Sequence, residues 1–510
     1  MGPPHAAAAA RARAARGLHR HALPGRFRAQ GRAEAQGLHA ALHARVPATQ
    51  GGPRATARRL PPSEPAAAGG PRSDHRQRAH ARALRAHRLA TAAGHDPGLQ
   101  PRDHVRSAAG PGGGGVGLRA RRRPGEGRVT PRGCRPVVAS IEVLPLRIPF
   151  RYAFEHHLAA RREARPQLVR LRLSDGSVGY GEALPRPYLT GETEASARAA
   201  LEGPLAALIL GREVAGLSGA RALIESAAAR AAREREPAAF CGVELALLDA
   251  AGRSEGRPVT DVLGGARRAE LSYPAAVAGF MPASALRIFL REARRRGARL
   301  VKLKVGRADD LERVALARAV LGYDIDLVVD ANGAWTAREA IARLRALERF
   351  GLTAAEQPVA RDDVAGLARV RREAATPIMA DESLSTLADA RRLIAHGACD
   401  LWNLRVGKCG GLLATRALAL LAQEHGIGCV LGVLVGETGI LGAAGRQLAA
   451  CHGAFRWLEH EGAALKRGDP VELPPVTAGR AARPLGPGLG FTLDEARLAA
   501  LADQPLRVSA

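Results

Sequence analysis

Apolar and polar positions along this chain follow two successive rhythms, and both begin only at Val137. In the first stretch, Val137–Pro149 reads as a strand, and Gln167–Leu173 alternates apolar residues with Arg170 and Arg172, predicting a second. Ser174–Gly176 carries a turn signal, and Val178–Glu182 resumes the sheet. Thr193 to about Leu210 and Ala220–Ala231 predict helices, and the more apolar Phe240–Ala251 predicts a helix packed on that sheet. From Leu271 the rhythm changes to short apolar runs separated by helical patterns. Leu300–Val305, Leu327–Asp330, Ala354–Glu356, Ile378–Asp381, Trp402–Val406 and Cys429–Val435 predict strands, with helices running to Leu321 and over Thr336–Phe350 between them. Repeated units of this length imply a parallel sheet with helical crossovers. Seven or eight in a row predict a barrel rather than an open sheet, so the fold class is α/β.

Residues 1–135 show no such rhythm and are rich in Ala, Arg, Gly, Pro and His. They hold 26 Arg, no Lys and 6 acids, a net of +20 out of the chain's +27, which leaves +7 for the remainder. A segment of this composition buries too little apolar surface to offset its ordering entropy, and a disordered extension is expected. It could be a basic tail touching nucleic acid, a targeting extension or, the preferred reading, the product of an over-long reading frame. No Met lies between Met1 and Met281, so a later start would use a non-ATG codon near Val129 or Val137. With the positive charge concentrated there, the rest of the chain gives no argument for nucleic-acid binding. Cys134, Cys241, Cys399, Cys409, Cys429 and Cys451 have no paired spacing and read as free thiols of a reducing cytoplasm. No run of eighteen apolar residues and no secretory signal is present, so a cytoplasmic location away from membranes is expected.

The charge pattern becomes informative at the strand ends. The chain has four lysines against 72 arginines, and three of the four, Lys302, Lys304 and Lys408, fall within the predicted strand Leu300–Val305 or just after the predicted strand Trp402–Val406. Arginine stays protonated and cannot serve as a base, whereas lysine can. Lys304, Asp330, Glu356, Asp381, Lys408 and Glu437 follow one another at intervals of 26, 26, 25, 27 and 29 residues, about one βα unit each. All six would sit at the C-terminal mouth of a barrel, where barrel active sites lie. Charges beside buried apolar runs are costly unless paired or bound to metal. Three carboxylates on successive strands suit an oxygen-ligated cation such as Mg²⁺. Lysines on either side suit removal and return of a proton next to a metal-chelated carboxylate.

These residues stand in motifs that resemble the enolase superfamily, in its muconate lactonizing enzyme-like subgroup. Val301-Lys302-Leu303-Lys304-Val305 resembles the KxK of the second strand, and Asp330-Ala331-Asn332-Gly333-Ala334-Trp335 the DxNxxW of the third. Glu356-Gln357-Pro358 resembles EQP, Asp381-Glu382-Ser383 resembles DES, and Lys408-Cys409-Gly410-Gly411 resembles KxGG of the sixth. Gly179–Glu182, Pro185–Thr193 and Gly486–Gly490 resemble parts of the capping domain. The resemblance implies a modified (β/α)7β TIM-type barrel over 269–460, with an α+β capping domain over 137–268 to which residues 461–510 return. It implies Asp330, Glu356 and Asp381 as ligands of Mg²⁺ (or Mn²⁺), and Lys304 and Lys408 as an acid/base pair. Lys302 would lower the pKa of Lys304, Asn332 and Glu382 would support the ligands, and Glu437 would stand where some members place a seventh-strand acid. Glu437 could equally cap the helix begun by Thr438.

The implied activity is abstraction of the proton α to a carboxylate, giving a racemase, epimerase or cycloisomerase. The implied substrate is a small carboxylate such as an N-acyl amino acid or dipeptide. A syn-eliminating dehydratase is the alternative; no histidine occurs in Val430–Ile440 to support a sugar-acid dehydratase. An inactive barrel with a basic nucleic-acid-binding arm is the other. Where dipeptide epimerases carry DxD near the eighth strand, this chain has Glu459-His460-Glu461. The loop Phe150–Arg162 is the expected lid, with Tyr152, Phe154, His156 and His157 as candidate lining residues. Arg151, Arg161, Arg162 and Arg165 there suggest an anionic substrate tail. A homo-oligomer is implied by the resemblance alone.

Overall fold

The structure, a computed structural model, describes residues 135–453, 455–459, 465–503 and 506–509. The expected basic extension, with Cys134, therefore lies outside the described residues, as do His460 and Glu461 of the ExE sequence.

The first rhythm folds into an antiparallel sheet and a separate hairpin. Strands β1 (Val138–Pro145), β2 (Ile148–His156), β3 (Ala159–Ala164), β4 (Gln167–Leu173) and β5 (Val178–Ala183) follow in order. β1, β4 and β5 are neighbours, and the C-terminal strand Leu506–Ser509 adds beside β1. The single strand expected over Val137–Pro149 is divided, because Pro145 has no N–H to extend the ladder and the chain leaves the sheet there. β2 and β3 then pair only with each other.

Helices α1 (Glu194–Glu202), α2 (Pro204–Ile209), α3 (Gly216–Ile224), α4 (Ala227–Arg235) and α5 (Pro237–Glu255) complete this layer. The helix expected from Thr193 to Leu210 splits at Gly203, since Pro204 is tolerated only in the first turn of a new helix. Ala220–Ala231 also divides, because Ser226 caps α4 by accepting the Ala229 N–H.

α5 is buried along most of its 19 residues and lies directly on β5. The contact depends on glycine. A Cβ at Gly181 would lie 1.9 Å from the Gly242 carbonyl oxygen, and one at Gly179 would lie 2.2 Å from the Ala250 nitrogen. Both obstacles are backbone, so relief requires moving the helix. Gly181→Ala is expected to destabilise the protein by about 1–3 kcal/mol or more, read as a lower urea midpoint with an unchanged m-value.

β6 (Glu270–Ser272) pairs with residues of the C-terminal segment, Arg480–Ala482. The second rhythm then produces eight parallel strands. They are β7 (Ala275–Ala278), β8 (Leu300–Lys304), β9 (Asp326–Asp330), β10 (Ala354–Glu356), β11 (Ile378–Ala380), β12 (Leu401–Leu404), β13 (Gly428–Leu431) and β14 (Phe455–Leu458). The seven crossovers are α6 (Ala283–Arg295), α7 (Asp310–Leu321), α8 (Ala337–Leu347), α9 (Val364–Glu373), α10 (Leu387–His396), α11 (Leu412–Glu424) and α12 (Gly439–Cys451). The strands are hydrogen-bonded in sequence order from β7 to β14, so the sheet is a nearly closed barrel of (β/α)7β form.

Inside it, Leu300, Val328, Ala354, Met379, Leu401, Val430 and Trp457, one from each of β8 to β14, form an apolar layer. Side chains two residues apart on a strand share a face. The next inward position on each strand is therefore Lys302, Asp330, Glu356, Asp381, Asn403, Gly432 and Glu459, a polar layer resting on the apolar one. No described helix is long and apolar enough to cross a membrane, and the five described cysteines are buried free thiols.

Candidate active site

The polar layer is almost wholly shut off from solvent. Asp330, Glu356, Asp381, Asn403 and Lys408 are 0% exposed, and Lys302, Lys304 and Glu459 are buried. A charge so placed must be neutralised locally, and the pairing has near mirror symmetry about Glu356. On one side, Lys304 Nζ donates to Asp330 Oδ2 at 2.6 Å and to Asn332 Oδ1 at 2.8 Å. On the other, Lys408 Nζ donates to Asp381 Oδ1 at 2.8 Å and to the carbonyls of Asp381 at 2.7 Å and Asn403 at 2.8 Å. Glu356, on the strand between the two aspartates, accepts from Asn403 Nδ2 at 2.8 Å and from Lys302 Nζ at 2.9 Å. Gly432 makes room for this amide, since a Cβ there would lie 2.1 Å from Asn403 Oδ1.

Of the nine residues singled out in the sequence, eight come together here. Lys302 lies 3.1 Å from Asp330 and 2.9 Å from Glu459. Asn332 Nδ2 donates to Glu382 Oε1 at 2.9 Å. Glu437 belongs to a neighbouring place. Its Oε2 accepts the Leu434 N–H at 2.9 Å, its carbonyl takes the Lys466 ammonium, and it lines a cleft of about 330 Å³ with Val433, Leu441, Leu458 and Glu459. It does not cap α12; Thr438 does, by accepting the Ile440 N–H.

Three members of the constellation were not singled out as site residues. Asn403 and Glu459 lie two residues beyond core positions of their strands, and that spacing is the signal that would have found them. Arg405, one residue past β12, has no comparable signal in a chain so rich in arginine. Its Nη2 lies 2.5 Å from Asp381 Oδ2 and 3.5 Å from Glu356.

The electrostatics follow from this packing. Burial alone would depress the Lys302 ammonium, but Glu356, Glu459 and Asp330 outweigh it and hold its pKa well above the usual lysine value. Burial, then the charges of Asp330 and Asp381, push Glu356 up to about 8 against the pull of Lys302. Burial likewise raises Glu382 to about 7, with Asp381 and Asp330 adding to it. Burial opposes ionisation of Asp330 and Asp381 too, but Lys304 and Lys302 hold the first below the usual carboxylate range, and Arg405 and Lys408 hold the second below it.

Two motif residues carry strain. Asn332 at φ 46° and Gln357 at φ 36° occupy the left-handed region without being glycine. Asp330 Oδ1 accepts the Asn332 N–H at 3.0 Å. Gln357 donates to Ser383 Oγ at 2.7 Å and Val359 O at 2.9 Å, and accepts from the Asp381 and Ser383 N–H groups. Gln357 and Ser383 thus lock β10 to the loop after β11 and aim the carboxylates. Trp335 is buried packing, as is Cys409.

The hairpin β2–β3 lies over this layer. Arg307 on the barrel side meets Glu155 at 2.5 Å. His156 is buried, with Tyr188 Oη 3.4 Å from its Nε2. Its pKa falls to about 3, first through burial and then through the Lys304 charge, so the ring is neutral. Phe154 is half-buried beside it, whereas Tyr152 and His157 face solvent.

Asp330, Glu356 and Asp381 offer only oxygen donors, which suits a hard divalent cation. Glu356 Oε2 has Lys302 at 2.8 Å yet accepts no directed hydrogen bond. With the side chains as they stand, no three His, Cys, Asp or Glu groups among the described residues converge into a closed cage. Lys302 and Arg405 stand between the carboxylates and supply the countercharge. The donor set fits a metal whose charge would take over that compensation.

Comparison with known proteins bears on the same segments. Residues 137–264 match the mandelate racemase / muconate lactonizing enzyme N-terminal domain, and 285–497 match the enolase C-terminal domain-like family. The chloromuconate cycloisomerase of Cupriavidus pinatubonensis is 33% identical over 361 residues, 69% of this chain and 94% of that protein. The hydrophobic dipeptide epimerase of Enterococcus faecalis is 30% identical over 315 residues, 61% of this chain and 87% of that protein. A solved dipeptide epimerase from Enterococcus faecalis, complexed with Mg and the dipeptide L-Leu-L-Tyr, superposes with a TM-score of 0.63 at 27% identity, covering 70% of this chain and 100% of that one.

Proposed function

Because the chain belongs to the mandelate racemase/muconate lactonizing enzyme family of the enolase superfamily, we propose that this isomerase abstracts the proton α to the carboxylate of a small acid with one lysine and returns a proton from a second. The observation that carries this reading is the mirrored pair Lys304–Asp330 and Lys408–Asp381 on either side of Glu356. An α-carbon held between two amines can lose its proton to one face and regain it from the other, which inverts the centre. Asp330 and Asp381 fix where each amine points, and Asn332, Asn403 and the Asp381 carbonyl complete the alignment. Lys302 stays cationic beside Asp330, Glu356 and Glu459 and is not the base.

Asp330, Glu356 and Asp381 would hold Mg²⁺ or Mn²⁺, which supplies Lewis-acid charge to the substrate carboxylate and so makes the α-proton more acidic. Glu382 and Asn332 support that set from behind. His156, Phe154 and the hairpin that carries them shield the site from water. The substrate class is an N-acyl amino acid, a dipeptide or a related carboxylate; cycloisomerisation shares the same first step.

The full chain, supplied with Mg²⁺ in D₂O and a mixed set of N-acyl amino acids, dipeptides and small carboxylates, is expected to incorporate deuterium at one α-carbon, read by mass spectrometry. The uptake should disappear on chelation and return with added Mg²⁺. A folded enzyme that isomerises its substrate without solvent deuterium entering the α-position would sink the proton-transfer reading.

A further inference from the structure

The two turns that follow the lysines are anchored in different ways. The turn after Lys304 is tied by its own helix, since the Asp310 carboxylate of α7 accepts the Gly306 N–H at 2.9 Å and the Arg307 N–H at 3.0 Å. α8, α9, α10 and α12 are likewise capped at their own N-termini, by Thr336, Asp363, Thr386 and Thr438. α11, which begins at Leu412 just after Lys408, is not: its N-cap is Gly411, which has no side chain to offer. The first N–H groups of a helix need outside acceptors, and Leu412 and Leu413 are buried away from water. The acceptor comes from the capping domain. Glu244 Oε1, on α5, takes the Leu413 N–H at 2.9 Å from 169 residues away in the chain.

Glu244 is wholly buried, and a carboxylate so placed is costly unless it is hydrogen-bonded. Burial pushes its pKa up to about 7, although the Leu413 N–H, the Arg233 charge and the Leu412 N–H pull it down. The Lys408 turn is shaped to receive it. Gly411 stands at φ 107°, and a Cβ there would lie 2.4 Å from Glu244 Cδ. Gly410 stands at φ 80°, and a Cβ there would lie 2.5 Å from the stem of Arg233, on α4. The two glycines of Lys408-Cys409-Gly410-Gly411 are therefore the surface on which the capping domain is seated. The turn is also closed on itself. The Lys408 and Cys409 N–H groups donate to the Arg405 carbonyl at 3.1 and 2.9 Å, and the Gly411 N–H donates to the Val406 carbonyl at 3.0 Å. The Gly411 carbonyl accepts from Thr415 Oγ1 at 2.6 Å. Movement of the first turn of α11 is thus passed to Lys408.

We propose that Glu244 is a positioning residue for Lys408: through this carboxylate on the first turn of α11, the capping domain sets where that lysine stands, whereas the turn after Lys304 is tied within the barrel. The capping domain then governs proton transfer at one face of the α-carbon more than at the other. The kinetic consequence rests on the two-lysine reading, but the placement of Lys408 can be read without turnover.

The test compares the full-length wild type with Glu244→Ala and with Glu244→Gln, the milder variant that keeps an acceptor for the Leu413 N–H. In D₂O with Mg²⁺ the probes are N-acetyl-L- and N-acetyl-D-phenylalanine, with L-Ala-L-Phe and L-Ala-D-Phe as a second pair. Lys408→Met identifies which member of each pair Lys408 deprotonates. For that member, Glu244→Ala is expected to lower the kcat of deuterium exchange about 10- to 100-fold with KM little changed, while the other member stays within about twofold, as misplacement of one reacting group implies. Glu244→Gln should lose less, with the same handedness. Equal losses on both members would overturn the proposal, since a merely loosened fold produces them. Reductive methylation with formaldehyde and cyanoborohydride, read by mass spectrometry, reports placement without substrate. The ratio of Lys408 to Lys304 labelling should rise about 10-fold in Glu244→Ala, the order that loss of a helix cap implies, and by a smaller factor in Glu244→Gln. If the wild type exchanges neither pair but the ratio rises, Glu244 keeps its role and proton transfer on these acids fails. An unchanged ratio in the folded variants overturns the role of Glu244 whatever the exchange shows.

Discussion

Lys408→Met is expected to stop racemisation in both directions, lowering it by about 10²–10⁴-fold, while leaving one half-reaction intact. Each lysine serves one face of the α-carbon, so the enantiomer deprotonated by Lys304 should still exchange its proton for deuterium, without inversion. Lys304→Met should show the opposite handedness. The geometry permits this dissection without collapse of the site. Asp381 keeps Arg405 at 2.5 Å when Lys408 is lost, so no carboxylate is left unpaired. The carbonyls of Asp381 and Asn403 lose a donor, which costs about 1–3 kcal/mol, a visible fall in Tm but one a domain of this size withstands. The measurement is chiral chromatography with mass spectrometry on each enantiomer. If folded variants lose exchange equally with both enantiomers, the two-base assignment is wrong.

The second large effect concerns Glu356. Glu356→Gln is expected to lower Mg²⁺ affinity and kcat/KM by at least about 10²-fold, as loss of a metal-ligating carboxylate implies, yet to leave the metal-free protein as stable at pH 7 as the wild type. The carboxyl is wholly buried between Asp330 and Asp381, and its pKa is raised to about 8. Near neutral pH the metal-free protein therefore holds it mostly protonated, and glutamine reproduces its charge and shape. The sign of the pH dependence follows. Between the ordinary carboxylate value and about 8, the folded state retains a proton that the unfolded chain has released. Stability falls as pH rises through that window, and Glu356→Gln should flatten the fall. Thermal unfolding with and without Mg²⁺ tests both points. Mg²⁺ should raise the Tm of the wild type, because it binds only the native state, and should leave that of the variant unmoved. An equal Mg²⁺-induced rise in both proteins would remove Glu356 from the ligand set.

Much of this was legible along the chain, and for a local reason. In a parallel barrel each βα unit repeats at about one length, and strand alternation puts every second side chain inward. Carboxylates and lysines that recur at that interval just past apolar runs can therefore be placed at one mouth without knowing any tertiary contact. Lys304, Asp330, Glu356, Asp381 and Lys408 were found in that way, and six of the eight parallel strands with them. Helix ends were less legible. The splits at Gly203–Pro204 and Glu225–Ser226 turn on whether a proline or serine begins a new helix, which helical periodicity alone does not decide.

Three matters belonged to the tertiary structure. Lys302 and Glu459 are 157 residues apart and meet only because the barrel curls until its second and eighth strands face one inner layer. Motif membership did not distinguish chemistry from support. Gln357 and Ser383 lie next to predicted ligands, but their hydrogen bonds go to backbone and to each other. Four arginines around the lid look alike in sequence, and only the register of β2 against β3 turns Arg161 inward while Arg151 and Arg162 face water. The sequence by itself determined which side chains could do chemistry and on which strand each stands, because alternation and repeat length are properties of the chain. Which charges are balanced, and by which partners, was decided by burial and by contacts between distant strands, and those exist only once the barrel has formed.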